Sequence, residues 1–167
     1  MESTEQKYWI AFNKVSGVGR ARLALLEGHF GSLERAWQAN AAELIQAGLD
    51  RRTARNVAKS VTSIDPDEEA ARVQAAGVRS LTWHDDEYPP RLNEIYDKPP
   101  VLNVRGSLTA DDERAVAIVG TRKPTAYGRQ AAYQLAHDLA CSGVTIVSGL
   151  ARGIDAIAHR AALEAGQ

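Results

Sequence analysis

The sequence predicts an α/β protein, with an all-helical N-terminal part followed by the beginning of a parallel sheet. Three observations carry this. Apolar residues recur at helical spacing through the first 62 of 167 residues. Two short apolar runs, at 115–119 and 144–147, each enter a glycine-rich turn and then a helical pattern. Strand, helix, strand, helix at this spacing means a right-handed βαβ unit and a parallel sheet.

Within the helical part, Tyr8, Trp9, Ile10 and Phe12 open an apolar segment that stops at Ser16-Gly17-Val18-Gly19. Ala21, Ala24, Leu25 and Leu26 repeat at helical spacing, and Gly28 and Gly31 mark the next bend. Ser32 caps a short helix through Trp37, and Asn40 caps one that contains Leu44 and Ile45 and ends at Gly48. Asp50 caps another, with Ala54, Val57, Ala58 and Val61 on one face. Each is marginal alone, so they must pack on one another.

Asp65 caps a further helix with Pro66 at its first position, acids in the first turn and Gly77 past its end. Residues 78–82 and 101–104 are weaker strand candidates. Between them, the pairs Pro89-Pro90 and Pro99-Pro100 exclude long regular structure. A helix over 126–142 carries Ala132, Ala136 and Ala140 beside Leu135 and Leu139, and Gly143 ends it. Ile154, Ile157, Ala158, Ala161 and Ala162 stripe a final helix that Gly166 terminates. Two good strands and two weak ones do not complete a parallel sheet, which needs helices on both faces. The chain is therefore expected to be part of a longer protein, and poorly stable or self-associating by itself.

Bulk properties narrow the function. Hydrophobic residues at 44% and charged residues at 25% suit a globular domain, and no apolar run approaches the roughly 20 residues of a membrane span. The polar start Met1-Glu-Ser-Thr-Glu-Gln-Lys does not read as a signal peptide, and none is expected. The single cysteine, Cys141, excludes an internal disulfide and is expected to pack as a small apolar residue in a reducing, cytoplasmic compartment. The net charge of −1 hides a partition: +3 over residues 1–62, −6 over 63–112 and +2 over 113–167. Such segregation is compatible with nucleic acid, or with ordinary solvated faces.

The two glycine-rich turns are the strongest chemical signal. Gly120-Thr121-Arg122-Lys123 and Gly149-Leu150-Ala151-Arg152-Gly153 each join a strand to a helix. Backbone amides at such turns point at anions, and the helix dipole adds to the attraction. Arg122, Lys123, Arg129 and Arg152 bring cations to the same edge. The pattern is neither the dinucleotide fingerprint nor a P-loop: the second close glycine and a Gly-Lys-Ser/Thr run are missing, and no acid ends the strand at Val147. No nicotinamide, ATP or other cofactor is expected.

Ser148, Asp155 and His159 are the polar residues that raise catalysis. The alternative is structural, with Asp155 favouring the helix dipole and His159 bonded to it. The four histidines show no metal-ligand spacing. In the helical part, Gly17-Val18-Gly19-Arg20, with Arg22, has the form of a helix-hairpin-helix element able to approach a phosphate. Gly48-Leu49-Asp50-Arg51-Arg52 is a degenerate second copy. A purely structural turn is the competing reading.

The runs Ala117–Arg122, Tyr127-Gly128 and Ile146–Asp155, then Ala158-His159, closely resemble the DNA-processing protein A family, DprA or Smf. Tyr88-Pro-Pro-Arg-Leu and Asp97-Lys-Pro-Pro-Val-Leu, followed by Gly106, are similar to the segment that precedes that family's main domain. The resemblance implies a sterile-alpha-motif-like, helix-hairpin-helix-like domain over 1–63 and the N-terminal portion of a Rossmann-like domain over 64–167. It implies single-stranded DNA binding and loading of the recombinase RecA in natural transformation, not an enzyme. Contact with single-stranded-DNA-binding protein and a homodimer of the full-length protein belong to the same expectation. The implied DNA site comprises Gly120, Thr121 and Arg122, with Lys123, Arg129, Gly149, Arg152 and Gly153 around it and Gly17, Gly19, Arg20 and Arg22 as an auxiliary contact. The alternative is a phosphoribohydrolase acting on a nucleoside monophosphate, for which Asp155 is the available carboxylate.

Overall fold

The computed structural model describes residues 5–166, Asp111 by its backbone alone. Met1–Thr4, part of the polar start noted above, and Gln167 lie outside the described residues. Two compact units divide the chain, Met1–Ser107 and Leu108–Gln167.

The first unit opens with five helices: α1 (Gln6–Asn13), α2 (Arg20–Phe30), α3 (Leu33–Gln38), α4 (Ala41–Gln46) and α5 (Arg51–Val61). The caps fall where the sequence places them. The Ser32 hydroxyl accepts the Arg35 amide at 3.2 Å. Asn40 and Glu43 form a reciprocal capping box on α4. The Asp50 carboxylate accepts the amides of Arg52 and Thr53. Phe12, Leu23, Leu26, Leu33, Leu44 and Val57 are fully buried, each contributing about 1.5–3 kcal/mol of burial. Phe12 meets Trp37 edge to face at 4.9 Å. The buried face of α2 is Leu23 and Leu26, whereas Leu25 is exposed and Ala21 and Ala24 face solvent. Gly28 lies inside that helix, and Gly31, at φ 74°, ends it.

The sequence reading ends the helical domain at residue 63, but the compact unit continues to Ser107. The reason is packing. Helix α6 (Pro66–Ala75) sets Glu69, 6% exposed, against Lys14 just past α1 and against its own Arg72. Strand β1 (Arg79–Thr82) takes a bond to its Ser80 carbonyl from Gln6. Strand β2 (Val101–Val104) buries Val101 in the helical core, with Trp83 packed against it. These two strands pair with each other, antiparallel, with Arg79 opposite Val104 and Thr82 opposite Val101. They do not join the parallel sheet. Between them lies α7 (Pro90–Glu94), a single turn started by Pro90, and the Tyr88 hydroxyl donates to the Pro99 carbonyl at 2.8 Å, closing the proline-rich loop.

The second unit follows the predicted alternation. After a 3-10 turn (Ala110–Glu113) come β3 (Ala115–Ala117), α8 (Ala126–Cys141), β4 (Thr145–Val147) and α9 (Ile154–Glu164). Strands β3 and β4 are parallel, Val116 opposite Ile146. The core is Ile118, Ile146 and the alanines Ala136, Ala140, Ala158, Ala161 and Ala162. Small residues on both facing stripes let α8 and α9 approach closely. Leu135, expected beside the alanine stripe, is exposed, and so is Cys141, whose thiol lies 3.6 Å from His137 Nδ1.

Candidate nucleic-acid interface

Both helices of the second unit begin where a parallel strand has just ended, so their N-termini open on the carboxyl edge of the sheet. That edge is where α/β sheets bind ligands, because amides and helix dipoles converge there. The β3–α8 turn runs from Gly120 to Thr125, whose hydroxyl accepts the Gly128 amide at 3.1 Å and caps α8. The β4–α9 turn runs from Ser148 to Gly153.

Glycines let these turns lie against each other. A Cβ on Gly120 would stand 2.7 Å from Ile154 Cγ1. One on Gly153 would collide with the Thr121 carbonyl oxygen and come within 2.7 Å of Arg122 Cα. Gly153 also has φ 90°, which L side chains rarely adopt. One on Gly149 would meet Asp155 Oδ2 at 3.0 Å. Hydrogen bonds fasten the pair. The Ile154 amide donates to the Thr121 carbonyl at 3.2 Å, and the Ser148 hydroxyl donates to the Ile118 carbonyl at 2.6 Å. Asp155, buried, accepts the amides of Gly120 and Ala151. His159 Nε2 faces the Ser148 carbonyl at 3.3 Å, so it is not paired with Asp155 as expected. The three polar residues that raised catalysis therefore bond to the backbone of the two turns and of the strand end that leads into the first.

The cations stand around this frame. Arg122 and Lys123 line both of two adjoining grooves. The larger, about 450 Å³, continues over Pro124 and Ile157 to Arg129 and Arg160. The other, about 410 Å³, continues over Ala151 to Arg152. No carboxylate lines either groove. Among the described residues, none of these five cations is in an ion pair. Likewise among the described residues, the amides of Thr121, Arg122, Leu150 and Arg152 have no protein acceptor. Uncompensated charge and available amides on one edge suit an anion with several charges.

The structure thus brings Arg122, Lys123, Arg129, Arg152 and Gly153 to the grooves, while Gly120, Thr121 and Gly149 shape the turns behind them. Arg160 was missed. The signal for it was the α9 spacing: Gly153, Ala156, Ile157 and Arg160 lie at i, i+3, i+4 and i+7, one helical face. Tyr127, 81% exposed, lines neither groove.

The helix-hairpin-helix element is arranged differently. Gly17, at φ 88°, makes the turn, and Gly19 precedes α2. Arg22 donates to the Gly17 carbonyl and, at 2.8 Å, to Asp50 Oδ2 in the second copy of the element. Arg20 lies over the Tyr96 ring at 5.1 Å. Both arginines therefore have internal partners. The same unit carries a cavity of about 310 Å³ lined by Glu5, Glu27, Asp85 and His84, of the wrong sign for a phosphate. Among the described residues, no cluster of side chains could hold a metal ion and no helix is long and apolar enough to cross a membrane.

A sequence model described as "DNA recombination-mediator protein A" matches residues 79–167, over half of the chain and including both turns. The chain belongs to the DNA recombination-mediator protein A family. Within it, protein Smf of Synechocystis is 38% identical over 168 aligned residues, 98% of this chain and 42% of that protein. DNA processing protein DprA of Bacillus subtilis is 41% identical over 96 residues, 57% of this chain and 32% of that protein. The X-ray structure of DprA from Streptococcus pneumoniae superposes with a TM-score of 0.72 at 29% identity, covering 99% of this chain and 56% of that one. The helical N-terminal part, the small sheets and the βαβ unit are thus the DprA fold. The chain spans about half or less of the length of these family members.

Proposed function

We propose that this chain grips single-stranded DNA on the edge formed by its two glycine-rich turns, as part of a recombination mediator. One observation carries the reading: five cations without ion-pair partners among the described residues surround two adjoining grooves that share Arg122 and Lys123. A single strand fits this edge better than a duplex, because its flexible backbone can follow two adjoining concave grooves. The family assignment supports the same reading, since the family is described as a DNA recombination mediator. It extends to loading RecA on the strand in natural transformation, in the cytoplasm, with single-stranded-DNA-binding protein as a further partner. A homodimer of the longer protein is part of this proposal.

Titration of a fluorescent oligothymidine at two salt concentrations tests the core of the reading. Engagement of three to five phosphates gives a logarithmic salt slope of about −2 to −3.5. Salt-independent binding, or none, overturns it. Release of free base from a nucleoside monophosphate would favour the phosphoribohydrolase alternative. The two Asp155 bonds to backbone amides speak against that alternative, because they hold the carboxylate in the frame of the turns.

A further inference from the structure

We propose that helix α5 carries a second nucleic-acid contact, a row of cations that lies along the phosphate backbone of duplex DNA. It stands on the first unit alone and is independent of the single-strand edge. Helix α5 holds Arg51, Arg52, Arg55 and Lys59 and no acid. Thr53, Ala54 and Val57 are buried toward the core, and all four cations are exposed. Arg51, Arg55 and Lys59 are spaced i, i+4, i+8, which sets them roughly 6 Å apart in a row about 12 Å long. Among the described residues, none of the four is in an ion pair. Asp50, the acid next to them in sequence, is already committed to the amides of Arg52 and Thr53, the Thr53 hydroxyl and Arg22. The Nε of Arg55 donates to the Arg51 carbonyl at 3.2 Å, which draws its guanidinium along the row.

Four uncompensated cations on a rigid helix fit a polyanion of fixed shape. What the row lacks selects among polyanions. No large apolar side chain of α5 is exposed. An anionic bilayer would need an apolar face to bury, and that of α5 already packs on the core. An acidic protein surface would need an anchor to desolvate at its centre. A single strand draws affinity from bases stacked on aromatic planes as well as from charge, and α5 has no aromatic ring. Duplex DNA asks only for charge, because its bases stay stacked on one another. It presents one phosphate per roughly 1.7 Å of axis, about seven along the row and twice the density of one strand. Such a contact positions a duplex without reading its sequence.

The test titrates a fluorescent blunt duplex of about 20 base pairs, and separately an oligothymidine, with the full chain at two salt concentrations. The variant is Arg55→Gln with Lys59→Gln, since glutamine is a good helix former, and equal melting temperatures control for folding. Loss of two phosphate contacts should lower the duplex salt slope by about 1.8, with oligothymidine binding unchanged. Arg51→Gln with Arg52→Gln, at the other end of the row, should give the same fall, and decides the matter if the first pair melts early. Arg55→Lys with Lys59→Arg, which keeps both charges, should keep the wild-type slope. A wild type that fails to bind the duplex at the lower salt overturns the proposal, as does a duplex slope unchanged in both glutamine variants. Equal losses on duplex and oligothymidine would make the row part of the single-strand site, and overturn it too. So would binding to phosphatidylserine vesicles that the glutamines abolish while duplex binding persists. Oligothymidine binding by the wild type, present or absent, bears only on the edge of the second unit.

Discussion

The carboxylate of Asp155 accepts the amide of Gly120 at 3.3 Å, from a residue 35 positions earlier, while its other oxygen accepts the amide of Ala151 at 3.4 Å. One buried acid on α9 therefore fastens both turns that carry the cations. Asp155→Asn turns one acceptor into a donor and sets it against an amide. The expected loss is about 1–3 kcal/mol of stability, read by urea denaturation, with DNA affinity falling in parallel. An enzymatic role for Asp155 makes the opposite prediction: lost turnover with stability unchanged.

Gly153→Ala tests the contact between the turns. The new Cβ would collide with the Thr121 carbonyl and approach Arg122 Cα, and the backbone at φ 90°, ψ −127° disfavours any side chain. Strain alone costs about 1–3 kcal/mol. The turns must separate, so circular dichroism melts should fall and oligonucleotide binding should weaken beyond what the loss of folded protein explains. An alanine variant that melted and bound like the wild type would show that the turns do not depend on this close approach.

Much of the local structure was legible because its causes are local. Ser32, Asn40, Asp50 and Asp65 are capping residues followed by helical periodicity, and all four cap. The βαβ alternation needed only the apolar runs and the glycines between them. What was hidden depends on distant partners. Strands β1 and β2 gave no sign that they would pair with each other, because antiparallel pairing across a long loop is fixed by packing on α1. For the same reason the ion pair of buried Glu69 with Lys14, which draws α6 into the first unit, left no local pattern. At the site, the glycines and Arg122 could be read directly, while Asp155 and His159 were read as a pair because i, i+4 spacing ignores a backbone that turns back toward them. Arg160 was overlooked among alanines that read as core.

Acid should loosen the first unit through Asp50. The amide and hydroxyl of Thr53, and more weakly Arg22, hold its carboxyl at about 2, below the ordinary 3.8. A depressed carboxylate stabilises the fold fully above its unfolded value, and that contribution is lost as pH falls through its folded value. The window is thus between about 4 and 2. Asn is an equally good cap, so Asp50→Asn keeps α5 started but removes the charge. Melting temperatures over that window should fall less steeply for Asp50→Asn than for the wild type. Identical slopes would place the acid sensitivity elsewhere.

Arg20→Ala with Arg22→Ala should leave oligonucleotide binding and its salt slope nearly unchanged. Both side chains already have partners, Tyr96 for one and Asp50 with the Gly17 carbonyl for the other. The ion pair is half exposed, so its loss should cost no more than about 1 kcal/mol. A double variant with a flatter salt slope would show that the helix-hairpin-helix element holds backbone phosphates after all.

The arrangement of the grooves ranks the cations. Arg122 and Lys123 line both grooves, whereas Arg129 lines one and Arg152 the other. A strand crossing from groove to groove must pass the shared pair, so single alanine variants there should cost more than at either end. Arg122→Ala should lose about 1–3 kcal/mol of binding, since it removes a stacking plane as well as a charge. Arg129→Ala and Arg152→Ala should each lower the salt slope by about 0.7, one phosphate's share on a single strand, and reduce affinity for all sequences alike. Oligonucleotides too short to fill both grooves separate these roles further. With such strands, Arg122→Ala should still weaken binding, while one end variant becomes silent because that groove is left empty. Equal losses at all four positions for every strand length would mean a diffuse basic surface in place of a track through two grooves.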